Sequence, residues 1–176
     1  TEYFVNFNVT TVEKEPLIPI GHEIACDQFR LPIESPKKAF KTSGPKLTVS
    51  TNGDNLSASS SKVNFMFNKK TGIVTSYKVD GTEYFSEGFG IQPNFWRAPT
   101  DNDYGNGMPK RLQVWKESSK NFNVTDATVT MDGNNAVVNV NYLLPAGNLY
   151  IVNYTIYPSG AVNVAARFTS TDMDAA

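Results

Sequence analysis

Short runs in which apolar and polar residues alternate, each closed by a turn signal, recur along almost the whole chain. Alternation with a period of two marks a strand with one buried face, because successive side chains point to opposite sides of the pleat. In the run 63–68, Val63, Phe65 and Phe67 share a face, and Lys69-Lys70-Thr71-Gly72 ends it with a glycine where a positive φ is wanted. Residues 73–79 lead into Asp80-Gly81, the strongest hairpin signal in the chain, and 82–85 return. Runs at 46–51 and 55–60 precede this series, and runs at 124–131, 136–144, 149–157 and 161–169 follow it. Strands this short and turns this frequent predict an all-β fold, an antiparallel β-sandwich over residues 46–176.

Two further alternating runs stand apart at the start. Residues 2–10 put Tyr3, Val5, Phe7 and Val9 on one face, and 22–31 put Ile24, Cys26 and Gln28 on one side. Two strands alone are marginal in water, so residues 1–33 are expected to be the strands of a separate unit. Residues 34–45, rich in proline and lysine and without apolar period, read as the linker. His22, at a strand start, is expected to be structural. The period changes once: Met108, Leu112 and Trp115 fall at i, i+4 and i+7, with Pro109 in the tolerated first turn. That spacing predicts one short amphipathic helix within 108–117, with Trp115 on its inner face.

Between the strands lies a stretch of different chemistry, residues 91–106. Phe95 and Trp96 are large aromatics that gain by leaving water. Arg97 follows them, and a buried guanidinium needs an anionic or carbonyl partner. Asp101 and Asp103 lie four and six residues on, past Pro99. Arg97 is therefore expected to be mostly buried and bonded to Asp101 or Asp103, turning the corner of a buried strand, with a large loss of stability on its removal.

The order of residues in Asn94-Phe95-Trp96-Arg97-Ala98-Pro99-Thr100-Asp101-Asn102-Asp103 resembles the hallmark that opens the C-terminal β-sandwich of large β-galactosidases in glycoside hydrolase family 2. Gly21-His22-Glu23-Ile24-Ala25 with Gln28-Phe29-Arg30-Leu31 is similar to the end of the immunoglobulin-like domain that precedes that sandwich. The likeness covers nearly the whole chain. It implies that residues 1–33 are the C-terminal strands of the linking domain, and that 46–176 begin a galactose-mutarotase-like super-sandwich. It further implies that Phe95, Trp96, Arg97, Asp101, Asn102 and Asp103 are a structural motif, and that Gly105, Asn106, Gly107, Met108, Pro109, Lys110 and Arg111 border the galactoside pocket of the intact enzyme. In such enzymes the two catalytic glutamates lie in a barrel domain earlier in the chain, and the aromatic galactose platform of the sandwich would lie beyond residue 176.

On that resemblance the chain is a non-catalytic accessory part of a retaining β-galactosidase. Its partners are the rest of the parent chain, above all the barrel, with the galactoside as substrate of the whole. No cofactor is expected in this chain, and the Mg or Na ions of the parents would sit in other domains. The alternative is a free-standing carbohydrate-binding module that stacks sugars on Trp96, Trp115 or Tyr104. Retaining glycosidases need two carboxyls about 5–5.5 Å apart, and Asp101 with Asp103 is the one tempting pair, since i and i+2 share a face in a strand. The Asp101-Asn102-Asp103 run also starts like an EF-hand loop, but its fifth position is Gly105 and its twelfth is Leu112 instead of glutamate. No metal site is expected.

Composition sets the remaining bounds. A net charge of −1, from 16 basic and 17 acidic side chains, argues against nucleic acid and against an anionic membrane surface. Cys26 is the single cysteine, which excludes an intrachain disulfide and leaves the compartment unread. No apolar run reaches the roughly 20 residues of a membrane span. The sequence opens on Thr1-Glu2-Tyr3 without a basic and apolar leader, and stops at Asp172-Met173-Asp174-Ala175-Ala176 without a structural reason, so a segment of a longer chain is expected. Four Asn-x-Ser/Thr sequons, at Asn8, Asn55, Asn123 and Asn153, carry no weight in so asparagine-rich a chain. Open sheet edges are expected to invite self-association. Gly105 and Gly107 free the backbone, and no apolar anchor is expected before Leu112, so 105–111 are expected to form a mobile loop.

Overall fold

The computed structural model describes residues 2–33, 41–86 and 89–171. The chain divides into two compact units, Thr1–Phe40 and Lys41–Ala176. Most of the expected linker, residues 34–40, lies outside the described residues.

In the first unit β1 (Phe4–Thr10) pairs antiparallel with β2 (Glu23–Arg30), with Phe7 opposite Asp27 and Asn8 opposite Cys26. Phe7 and Phe29 meet edge to face, their ring centres 5.8 Å apart, on the face that the alternation of β1 defines. Both rings stay exposed, as does Val9. On the other face Gln28 donates a hydrogen bond to Asn6 Oδ1 at 2.8 Å.

The second unit is built of two antiparallel sheets. One runs in the order β3 (Thr48–Asn52), β4 (Asn55–Ser59), β5 (Val63–Asn68), β6 (Ile73–Val79), β7 (Thr82–Glu83). The other runs β11 (Val162–Thr169), β10 (Leu149–Ile156), β9 (Asn135–Leu143), β8 (Asn123–Asp132). The alternation seen in sequence is the inward set: Val63, Phe65 and Phe67 of β5 are buried, and so are Ala136, Val138, Val140 and Tyr142 of β9. These residues form one core with Leu56, Ala58, Val74, Val152, Tyr154 and Ile156. Removing each large apolar side chain from water contributes about 1.5–3 kcal/mol, and rings cross between the sheets, with Phe65 and Tyr154 centred 5.6 Å apart.

Two hydroxyls bolt the layers together. Tyr142 donates to the Gly72 carbonyl at 2.9 Å, and Tyr77 donates to the Gly160 carbonyl. Gly72 is required at its turn twice over. Its φ is +69°, and a Cβ there would stand 2.8 Å from the Phe122 ring and 3.0 Å from that of Tyr142. The hairpin return after Asp80-Gly81 is shorter than expected, because the Glu83 carboxylate accepts from the backbone N–H groups of Tyr77 at 2.9 Å and Phe85 at 3.1 Å. One backbone rung persists beside it, the Tyr84 N–H donating to the Tyr77 carbonyl at 2.9 Å. The Ser76 hydroxyl, which donates to the carboxylate as well, and the Tyr77 and Phe85 N–H groups lower the Glu83 pKa to about 2.

The helical part departs from expectation. The single helix within 108–117 is two, α2 (Met108–Arg111) and α3 (Gln113–Ser118), broken at Leu112 with φ −107° and ψ 23°. Before them comes α1 (Asp101–Gly105), where a strand corner is expected from the sequence.

Candidate functional site

The 91–118 segment is tied to the sheet of β6 at its start and closed on itself at its end. Val74 N–H donates to the Ile91 carbonyl at 3.1 Å, and Phe95 N–H donates to Ser119 Oγ at 2.6 Å. The Phe95 ring lies against Tyr150 at 5.2 Å, Phe168 at 5.9 Å and Trp115 at 6.2 Å, centre to centre. Trp115 also meets Phe168 at 5.5 Å. Phe95 and Trp115 thus cover the part of β10 and β11 that carries Tyr150 and Phe168. Trp115 is half-buried, on the inner face of its helix as expected.

The corner itself is a dense hydrogen-bond knot. Arg97 grips Asp103 with both terminal nitrogens, Nη1 to Oδ2 at 2.5 Å and Nη2 to Oδ1 at 2.9 Å. Thr100 adds its N–H at 2.7 Å and its hydroxyl at 3.0 Å, both to Asp103 Oδ2. Thr100 is the N-cap of α1, and its hydroxyl accepts in turn from Asp103 N–H at 3.4 Å, completing a capping box. Four donors on one carboxylate favour its ionised form, so Arg97, first, and then the Thr100 backbone hold Asp103 well below the ordinary carboxylate range. Asp103 in return raises the Arg97 pKa.

Burial in this knot is the reverse of the expectation. The Asp103 side chain is 11 % exposed and that of Arg97 63 %. The arginine lies over the surface and sends its donors inward, to Asp103 and to the Ala98 carbonyl at 3.1 Å. Its flat, weakly hydrated guanidinium can do this without full desolvation. Asp103, and not Asp101, is the partner. Asp101 is exposed in the first turn of α1, and residues two apart on a helix do not face each other. The paired arrangement that an extended strand would give is therefore absent. Asn102 is exposed, and its carbonyl accepts from Asn106 N–H at 3.0 Å.

Gly105, Asn106, Gly107, Lys110 and Arg111 are exposed, Pro109 is half-buried and Met108 is buried. The segment is not the open loop that the sequence suggests. Asn106 Oδ1 accepts from Met108 N–H at 2.9 Å, Gly107 turns the chain with φ +73°, and α2 begins there. Met108 supplies the apolar anchor before Leu112. It lines an open cleft of about 210 Å³ with Phe95, Trp96, Arg97, Leu112 and Trp115. Trp96 is half-buried in that lining, while the Tyr104 ring is 65 % exposed. Among the described residues no three His, Cys, Asp or Glu side chains cluster as metal ligands. No helix is long and apolar enough to cross a membrane among the same residues.

Sequence reasoning missed α1, although its signal was present: Thr100-Asp101-Asn102-Asp103 directly after Pro99 is a capping box with aspartate in place of the usual glutamate. It also missed Met108 as the anchor of the segment.

A two-sheet antiparallel sandwich whose flank is closed by a capped Arg–Asp corner and short helices is the class that fold and site define. The profile of the family described as Beta galactosidase small chain matches residues 59–175. The chain belongs to this family. It is 34 % identical over 146 residues to a β-galactosidase of Priestia megaterium (strain DSM 319 / IMG 1521), covering 82 % of this chain and 14 % of that protein. With a β-galactosidase of Kluyveromyces lactis (strain ATCC 8585 / CBS 2359 / DSM 70799 / NBRC 1267 / NRRL Y-1140 / WM37) it shares 29 % identity over 151 residues, 80 % of this chain and 14 % of the relative. A β-galactosidase small subunit of Latilactobacillus sakei is 26 % identical over 129 residues, 59 % of this chain and 39 % of the subunit. The chain spans about 14 % of the length of the first two relatives.

Proposed function

We infer that the chain is a non-catalytic, structural part of a retaining β-galactosidase, and that it walls the galactoside pocket of the whole enzyme with residues Gly105 through Arg111. The observation that carries this reading is the state of the carboxylates in the motif. Asp103 is saturated by four donors and held ionised, and Asp101 belongs to another side of the same helix. Neither is placed to act as the nucleophile and acid that retaining hydrolysis requires. What the motif does instead is fix a corner, so that α1 and α2 stand in a defined place on the sandwich flank. The reaction of the whole, hydrolysis of a terminal β-galactoside through a covalent galactosyl-enzyme, falls to carboxylates elsewhere, in the barrel. Cations such as Mg or Na, where the parent uses them, belong to other domains as well. Residues 1–33 then close an immunoglobulin-like linking domain, and 46–176 open the C-terminal sandwich.

The reading as a carbohydrate-binding module draws on the exposed ring of Tyr104. Trp96 and Trp115 argue against it, since both are half-buried in packing and offer no flat exposed platform. Titration calorimetry with galactose and lactose separates the two readings. The accessory role predicts no saturable heat at millimolar sugar. Saturable binding that Tyr104→Ala abolishes would establish the module instead.

A further inference from the structure

Asparagine is followed by glycine twice, at Asn52-Gly53 in the turn between β3 and β4 and at Asn106-Gly107 after the end of α1. The pair is chemically vulnerable, because glycine has no side chain to screen its amide nitrogen from the preceding carboxamide. Once base has taken its proton, that nitrogen bonds to the asparagine Cγ. The Cγ–Nδ2 bond then breaks, ammonia leaves with a proton from water, and a five-membered imide remains. Water opens the imide at either carbonyl to give aspartate or isoaspartate, so the net reaction is hydrolysis of the carboxamide. Ring closure requires the glycine nitrogen to swing round the asparagine Cα–C bond toward Cβ. A fold that resists this swing resists the reaction.

We propose that Asn52 is a site of spontaneous deamidation, and that the fold withholds the same reaction from Asn106. The two turns differ in what holds them. Asn106 is the C-cap of α1, with ψ 3°, and its N–H donates to the Asn102 carbonyl at 3.0 Å. The Gly107 N–H, the nucleophile, donates to the Tyr104 carbonyl at 3.1 Å. The Asn106 Oδ1 accepts from the N–H of buried Met108 at 2.9 Å. The swing at Asn106 would break the last two bonds together. At Asn52, by contrast, neither the carboxamide nor the Gly53 N–H has a hydrogen-bond partner among the described residues. Both residues are exposed, and nothing stands within 4 Å of where a Gly53 Cβ would lie. Only the end pair of the β3–β4 ladder, Asn52 with Asn55, opposes the swing, and strand ends fray. The inference goes beyond the role proposed above and stands without it, because it compares two turns of this chain and involves no sugar.

Peptide mapping by mass spectrometry tests it. The 176-residue chain is aged at mildly alkaline pH, folded in one sample and unfolded in guanidinium chloride in another. Both are then digested with pepsin in acid, where the reaction is slow, and aspartate and isoaspartate are counted at each position. In the folded chain Asn52 should convert at least about tenfold faster than Asn106, the factor that two extra hydrogen bonds at Asn106 imply. In the unfolded chain the two should convert at similar rates. Comparable conversion of the two sites in the folded chain overturns the proposal, and so does an Asn52 that survives folded ageing while the unfolded chain reacts. A preference for Asn52 that persists unchanged on unfolding overturns it too, since the difference would then lie in neighbouring residues and not in the fold.

Discussion

Asp103 is the residue on which the corner turns, and its environment makes a pH-dependent prediction. Its carboxyl is held below the ordinary value of 3.8, so the folded chain takes up that proton less readily than the unfolded one. The stability it contributes is fully present above pH 4 or so and drains away as the pH falls below that. Asp103→Asn should therefore lower the urea midpoint at pH 7, and the gap from wild type should narrow as the pH falls below about 4. A gap independent of pH would show that the carboxylate charge contributes nothing. The exposure of Arg97 sets a second expectation. Arg97→Ala leaves Asp103 its two Thr100 donors, whereas Asp103→Ala takes the acceptor away from the Thr100 N–H, the Thr100 hydroxyl and both guanidinium donors at once. Asp103→Ala should be the more damaging in urea melts, and the opposite order would contradict the burial described above. That the two residues pair was legible in the sequence; which of them is buried was not. Sequence spacing says who can meet, and burial depends on the surface onto which the meeting folds.

Among the elements, the strands were the most legible because their signal is local. Val63–Asn68 and Ile73–Val79 have the bounds that alternation and turn residues indicate. The helices were less so. Met108, Leu112 and Trp115 do line the inner side of the segment, yet the backbone leaves the helix at Leu112. Periodicity reports which side chains share a side and is silent about one distorted residue between two short turns. Met108 marks the consequence. As the anchor of α2 it should cost about 2 kcal/mol on truncation to alanine, at the low end for buried methionine because its cleft is open. Thermal melts check this, and a loss below about 0.5 kcal/mol would return 105–111 to the status of an unanchored loop. Gly72→Ala should cost more than a typical glycine replacement. Its Cβ would enter the Phe122 and Tyr142 rings from a backbone with φ +69°, an overpacking of the kind that costs about 1–3 kcal/mol.

At the scale of the whole molecule, stability rests on one core between two sheets, and tyrosines are buried within it. Burial pushes the Tyr154 hydroxyl up to about 12, and burial likewise raises Tyr142. Groups raised in the folded state stabilise it below their ordinary pKa near 10, and that contribution is lost as the pH climbs past it. The sandwich should therefore lose stability above pH 10. The all-β class and the family were both readable before any coordinates, one from alternation and one from the ordered run Asn94–Asp103. The order of the strands within each sheet was not readable, since it is set by long-range pairing that no local pattern states. In the proposed role the motif builds a wall and performs no chemistry. Incubating the purified 176-residue chain with a chromogenic β-galactoside tests it most directly. The account predicts release of chromophore no faster than the blank. Turnover well above the blank, abolished in the Asp101→Asn/Asp103→Asn double variant, would contradict it.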